Sequence, residues 1–200
     1  MLNVRWRAYR VACILLVALA AAALGGVNVA WAQSDGIVDE LKLGVLDHGI
    51  TFFEHETETG VDLNGELLFH RLFEPLDVLG MSIIFRPNLG VSIATNGTTS
   101  IGYGGLSMNI MLVRNVFRDG DGFFLDGAFD LVVHDGCLDG CPSDRKALGS
   151  RFLGRRAGEI GYQIDPQWSI SAMIDHIGNY GLATPNAGLK TAGIRVGYKF

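Results

Sequence analysis

The final ten residues constrain the fold more than any other part of the chain. From Thr191 to Phe200 every second residue is apolar: Ala192, Ile194, Val196, Tyr198 and Phe200. The intervening positions are Thr191, Gly193, Arg195, Gly197 and Lys199. This is strict period two, the signature of a strand with one apolar and one polar face. No helical period of useful length follows residue 33. Alternating segments broken by Asp, Gly, Asn and Pro clusters instead predict eight strands, at about 38–48, 61–70, 81–94, 99–112, 122–134, 147–162, 168–178 and 190–200.

The alternation assigns faces. Asp62, Asn64 and Glu66 go inward, as do Arg86, Asn88, Gly90 and Ser92, then Asp126, Asp130 and His134, then Ser169, Ser171, Met173 and Asp175. Ile83, Phe85, Leu89, Val91 and Ile93 go outward, with Phe123, Leu125, Phe129, Leu131 and Val133. On the seventh strand Ile170, Ala172, Ile174, His176 and Gly178 share the outward face. A charged interior demands pairing, and inward Arg86, Arg195 and Lys199 can meet the carboxylates. The connections 74–77, 118–121 and 165–166 are short or modest, whereas 49–60, 135–146 and 179–189 are long and polar. Short turns at one end and long loops at the other suit an eight-stranded antiparallel outer-membrane β-barrel, with both termini on the periplasmic side. A lumen of that size is filled by side chains and forms no pore. A soluble β-sandwich would also alternate, but would need neither the Tyr-x-Phe ending nor the Gly, Arg and Asp mixture of the inner face.

Residues 1–32 read as a signal peptide. Arg5, Arg7 and Arg10 precede the apolar run from Val11 to Leu24, and Ala30-Trp31-Ala32 has the small-x-small form of a cleavage site. The uncharged run is also long enough for a retained membrane helix, though its Gly-rich end fits the signal pattern better. Cleavage leaves residues 33–200 as one barrel domain, with 13 basic against 21 acidic side chains. That balance gives no footprint for nucleic acid. It also leaves Cys137 and Cys141 as the remaining cysteines. An oxidising compartment favours their pairing into a loop staple. His134 and Asp135 lie close enough for a weak metal site, but C-x-x-x-C has no strong metal-site precedent without further ligands.

His176 is the most informative single residue, because an ionisable group on a lipid-facing side is costly and often functional. His48 and His134 lie near outside ends without a spaced motif, His55 falls in a loop, and His70 lies near a turn. A serine-type hydrolase needs a nucleophile and an orienting acid beside its imidazole. The same-face neighbour two residues on is Gly178, and the outward residue starting the last strand is Lys190. Ser171 and Asp175 face the other way. Asn179 and Asn186 can donate amide hydrogens to an oxyanion or cap the loop. Gly102-Tyr103-Gly104-Gly105 lacks the spacing and βαβ setting of a dinucleotide site. Asn96-Gly97-Thr98 is a loop feature.

The C-terminal segment resembles the PagL-like lipid A deacylases, also called acyloxyacyl hydrolases. The likeness rests on Asp175-His176-Ile177-Gly178-Asn179-Tyr180-Gly181-Leu182, on Pro185-Asn186-Ala187-Gly188-Leu189-Lys190, and on Gly193-Ile194-Arg195-Val196-Gly197-Tyr198-Lys199-Phe200. Val133-His134-Asp135-Gly136, Asp144-Arg145-Lys146-Ala147-Leu148-Gly149-Ser150 and Gly44-Val45-Leu46-Asp47-His48 extend it to essentially the mature chain. The family pattern is His-x-Ser-Asn-Ala, a Pro-Asn-x-Gly turn, an acid, and a closing Gly-Tyr-Arg/Lys-Phe.

The resemblance implies an outer-membrane barrel that removes an ester-linked acyl chain from the 3-position of lipid A. It implies lipid A, lipopolysaccharide and outer-membrane lipids as partners, and a serine scheme that demands no metal and no cofactor. The family's His is implied at His176, with Asn179 and Asn186 tied to the oxyanion site. Gly178 stands where the family has its Ser, and Lys190 where it has its Glu. The chain is therefore expected either to retain altered or reduced hydrolysis, or to be a catalytically silent barrel that binds lipopolysaccharide as a structural or sensing element. Whether two barrels pair as a homodimer is left open.

Overall fold

Alternation of residue type builds a closed sheet. The computed structural model describes residues 36–50, 58–78 and 81–200, so the expected signal peptide and His55 lie outside the described residues. The strands are β1 (Val38–His48), β2 (Gly60–Phe69), β3 (Leu76–Val78), β4 (Met81–Ala94), β5 (Ile101–Arg114), β6 (Gly122–His134), β7 (Phe152–Gln163), β8 (Trp168–Gly178) and β9 (Leu189–Lys199). Consecutive strands pair antiparallel except β2 and β3, β9 returns to β1, and β2 pairs with β4. Eight strands thus close into a barrel, which removes free edges. There is no helix among the described residues.

Two boundaries differ from expectation. Leu76–Val78 forms a short strand on the protruding end of β4, where a turn was expected. β7 begins at Phe152 rather than 147. Residues 147–151 mimic a strand because Lys146 and Leu148 are both buried with an intermediate residue between them. Their backbone instead folds on the same loop, with Leu148 N–H donating to Cys137 O (3.0 Å) and Gly149 N–H to Leu138 O (2.9 Å).

The two faces carry opposite chemistry. Leu89, Val91, Ile93, Phe129, Leu131, Val133, Ile160, Ile170, Ile174 and Ile194 are exposed on the outside, the inverse of a water-soluble protein and the pattern expected against lipid. Inside lies a network of charges. Lys42 bridges Asp126 and Glu159, and Arg195 bridges Glu66 and Glu159. Arg155 joins Asp130 to Asp175, and Arg86 joins Glu40 to Asp39. Lys199 reaches the Gln163 side-chain oxygen at 2.7 Å rather than a carboxylate. Tyr103 lies under the Arg155 guanidinium, 4.0 Å from its centre, and donates to Glu66.

At the long-loop end the polar lumen gives way to a small apolar cluster of Ile101, Tyr103, Val132, Leu148, Leu153, Ile177 and Leu189. Above it, Glu58 ties three loops. Its carboxylate accepts from the N–H and hydroxyl of Thr99 (2.7 Å each) and from the N–H of Lys146 (2.9 Å), with Arg145 at 3.6 Å. His48 lies beneath, Nδ1 on Asp62 at 2.8 Å and Nε2 3.5 Å from Glu58. Cys137 and Cys141 form a disulfide in the longest of these loops.

Candidate active site on the outer face of the β8–β9 hairpin

The inward anchor fixes the outward residue. Ile177 is 2 % exposed and Leu189 2 % exposed, both packed in the apolar cluster. Period two then turns their neighbours, His176 and Lys190, to the outside. The register makes them direct partners: His176 faces Lys190 on one side and Arg156 of β7 on the other. His176 is half-buried, because the 179–188 loop folds beside it.

The imidazole lies among glycines. A Cβ built on Gly178 would stand 3.3 Å from His176 Nε2 and 3.9 Å from Asn186 Oδ1. A side chain at position 178 would therefore emerge against the ring nitrogen. A Cβ on Gly188 would collide with His176 Cε1, so the ring keeps its place only because position 188 has no side chain. On the far side of the ring, Nδ1 is buried without a hydrogen-bond partner among the described residues. An acid that orients an imidazole bonds this nitrogen. The residue directly across from His176 is Lys190, which carries only donors.

The two asparagines differ in their surroundings. The Asn179 amide nitrogen contacts the carbonyls of Leu148 (3.0 Å), Ala183 (3.1 Å) and Pro185 (3.0 Å), and its Oδ1 accepts the Gly181 N–H at 2.9 Å. In this arrangement it clamps the loop, and its amide hydrogens are engaged there. Asn186 is exposed, with its side-chain oxygen toward the Gly178 space. Gly149, at φ 73°, abuts the Pro185 carbonyl so closely that a Cβ could not fit. The disulfide-bearing loop and the β8–β9 loop thus pack backbone to backbone above the site, and Lys146 Nζ donates to Gly188 O at 2.9 Å.

Other titratable residues are placed elsewhere. Asp175 and Ser171 face the lumen, where Asp175 binds Arg155 and accepts from Thr191. His134 Nε2 lies 2.7 Å from Ser150 O, and His70 is exposed, 3.8 Å from Asp39. No group of three or more metal-ligating side chains occurs among the described residues. Sequence reasoning missed Arg156, Gly188 and Tyr180. Arg156 becomes a neighbour of His176 only through the β7–β8 register. Tyr180 lies over Gly154 and holds the Arg156 guanidinium 5.5 Å from its ring centre.

Three comparisons bear on this arrangement. The sequence model of the lipid A 3-O-deacylase (PagL) family matches residues 78–199. No curated protein sequence matches the chain. Among solved structures, the outer membrane enzyme PagL is 11 % identical with a TM-score of 0.60, covering 78 % of this chain and 97 % of that one. The N-terminal β-barrel domain of Pseudomonas aeruginosa OprF is 12 % identical with a TM-score of 0.45, covering 82 % and 98 %. The Yersinia pestis attachment protein Ail is 11 % identical with a TM-score of 0.35, covering 82 % and 99 %. At such identity the likeness to the PagL structure shows a shared fold.

Proposed function

The chain belongs to the lipid A 3-O-deacylase (PagL) family, and from that premise we propose that it is an exported outer-membrane barrel that engages lipid A on the outer face of β8–β9, with ester hydrolysis reduced or lost. One observation carries the second half of this reading: the position against His176 Nε2 holds Gly178, and the position across the strand holds Lys190.

Acyl-ester hydrolysis through a serine requires a hydroxyl that attacks the carbonyl carbon while the imidazole takes its proton. Gly178 supplies no oxygen, so no acyl-enzyme forms. The route left to the site is direct attack by water. His176 Nε2 would take a proton from water while the hydroxyl adds to the ester carbonyl. The tetrahedral oxyanion would then collapse, and the departing sugar 3-oxygen would receive the proton. The first proton transfer makes an imidazolium that the second consumes, and Lys190 across the strand raises its energy where a carboxylate would lower it. Loss of a nucleophile in serine hydrolases costs about 10⁴- to 10⁶-fold in rate. The reading is therefore a lipid A-associated barrel with residual hydrolysis at most.

Comparing lipid A by mass spectrometry from cells with and without the protein tests this. The expected result is no loss of a 3-hydroxyacyl chain with the wild-type protein, and such a loss with the Gly178→Ser/Lys190→Glu double variant. Full acyl release by the unaltered protein, abolished by His176→Ala, would overturn the inactive reading. Export by a cleaved signal peptide is part of the proposal. Sequencing of the membrane-inserted protein is expected to start at Gln33.

A further inference from the structure

The residue replacing the family acid is one member of a cationic rung. Arg156, His176 and Lys190 are consecutive cross-strand partners on the outward face of β7, β8 and β9. His176 lies two residues from the outer end of β8, and Lys190 one residue from the outer start of β9. The rung therefore stands at the outer rim of the apolar band, where lipid head groups lie. Adjacent strands are about 4.8 Å apart, which puts the Arg156 and Lys190 backbones about 10 Å from each other, with the imidazole between.

Arg156 and Lys190 flank the imidazole two strands apart, so their like charges repel across it. Among the described residues neither Arg156 nor Lys190 makes an ion pair, whereas lumenal Lys42, Arg86, Arg155 and Arg195 each bind at least one acid. The outward residues of β8 and β9 next to the rung are Ile174, Gly178 and Ala192. On β1, Asp47 pairs with Ala192 and so lies diagonal to Lys190. Arg156 is exposed and held over Tyr180. A guanidinium resting on a ring keeps its N–H donors for a planar or tetrahedral anion, and a lysine adds a point charge.

We propose that Arg156 and Lys190 form a phosphate-binding subsite that receives the phosphomonoester of a lipid head group, with His176 between them. This rests on the reading that the lipid is lipid A, and it adds how that lipid is held. In this light Lys190 exchanges the orienting of an imidazole for the holding of an anion.

The test uses the full mature protein in phosphatidylcholine nanodiscs, titrated with bisphosphorylated lipid A, with the same lipid after phosphatase treatment, and with inorganic phosphate. A surface cation near a phosphate contributes about 1 kcal/mol, a factor of about five. Arg156→Gln and Lys190→Gln are each expected to weaken binding of the phosphorylated lipid about fivefold, and the double variant about 25-fold. Arg156→Lys keeps the charge but not the fork of donors, so it is expected to fall between wild type and Arg156→Gln, and binding of the dephosphorylated lipid is expected to be the same in all variants. Inorganic phosphate is expected to compete only weakly. Free phosphate binding as tightly as the lipid, with the same dependence on the two residues, would overturn the head-group assignment. Equal binding of both lipid forms by the wild-type protein would overturn the subsite while leaving lipid A recognition intact. Binding of neither form would sink the lipid A reading itself.

Discussion

Around His176, the proposed chemistry turns on two positions without side chains. Gly178 and Gly188 both border the ring, and they have opposite consequences when filled. A Cβ at 178 meets Nε2 at 3.3 Å, a separation that a slight shift accommodates, whereas a Cβ at 188 drives into Cε1. Gly178→Ser is thus expected to be tolerated, and Gly188→Ala to displace the imidazole. In the Gly178→Ser/Lys190→Glu background, adding Gly188→Ala is expected to lower kcat by about 10²-fold, the scale of a 1 Å misplacement. KM should change little, and the far-ultraviolet circular dichroism should stay the same. Unchanged kcat would show that the ring has another seat. His176, Gly178 and Lys190 were legible in the sequence because their spacing and the period-two pattern suffice to place them on one face. Arg156 was not, because its proximity is set by a pairing register that local sequence does not encode.

Among the elements, the outer loops form a roof whose keystone is Glu58. Burial pushes this carboxyl up, but His48 beneath it and the hydrogen bonds from the Lys146 N–H and from Thr99 hold it at about 2. Arg145 faces it from the same loop as Lys146. A carboxylate with a folded-state value below its ordinary 4.5 stabilises the folded roof fully above that ordinary value, and the stabilisation is lost as pH falls toward 2. Between about pH 4.5 and 2 the loops are expected to open before the barrel does. Limited proteolysis in the 135–151 segment reports this, and Glu58→Gln should show at neutral pH much of the sensitivity that the wild-type protein shows only in acid. Cleavage rates that do not vary with pH would remove Glu58 from this role. The strands were largely legible from alternation, and the roof was not. Residues 147–151 alternate like a strand, yet they fold on Cys137 and Leu138 because Leu148 has an apolar cluster to fill.

For the whole molecule, the inside-out distribution of charge makes the barrel dependent on pairing rather than on an apolar core. Arg155 is among the largest fully buried side chains, bound to Asp130 and Asp175 and resting on Tyr103. Sequence alternation placed Asp130 and Asp175 inward, but it could not name the cation that joins them, since Arg155 lies on the intervening β7 and is identified by register alone. Arg155→Met removes that cation and leaves two carboxylates in a closed lumen. Stranding a buried charge costs about 3–5 kcal/mol, so a marked fall in thermal stability is expected, read by circular dichroism in detergent. The triple variant Arg155→Met/Asp130→Asn/Asp175→Asn removes the stranded charges as well. Since replacing a whole buried ion cluster is often neutral, it should recover most of the loss. If the single and triple variants were equally unstable, packing of the guanidinium on Tyr103 would outweigh its charge. Either variant leaves Ile177 and Leu189 in their cluster, so the outward placement of His176 should survive in any barrel that still folds.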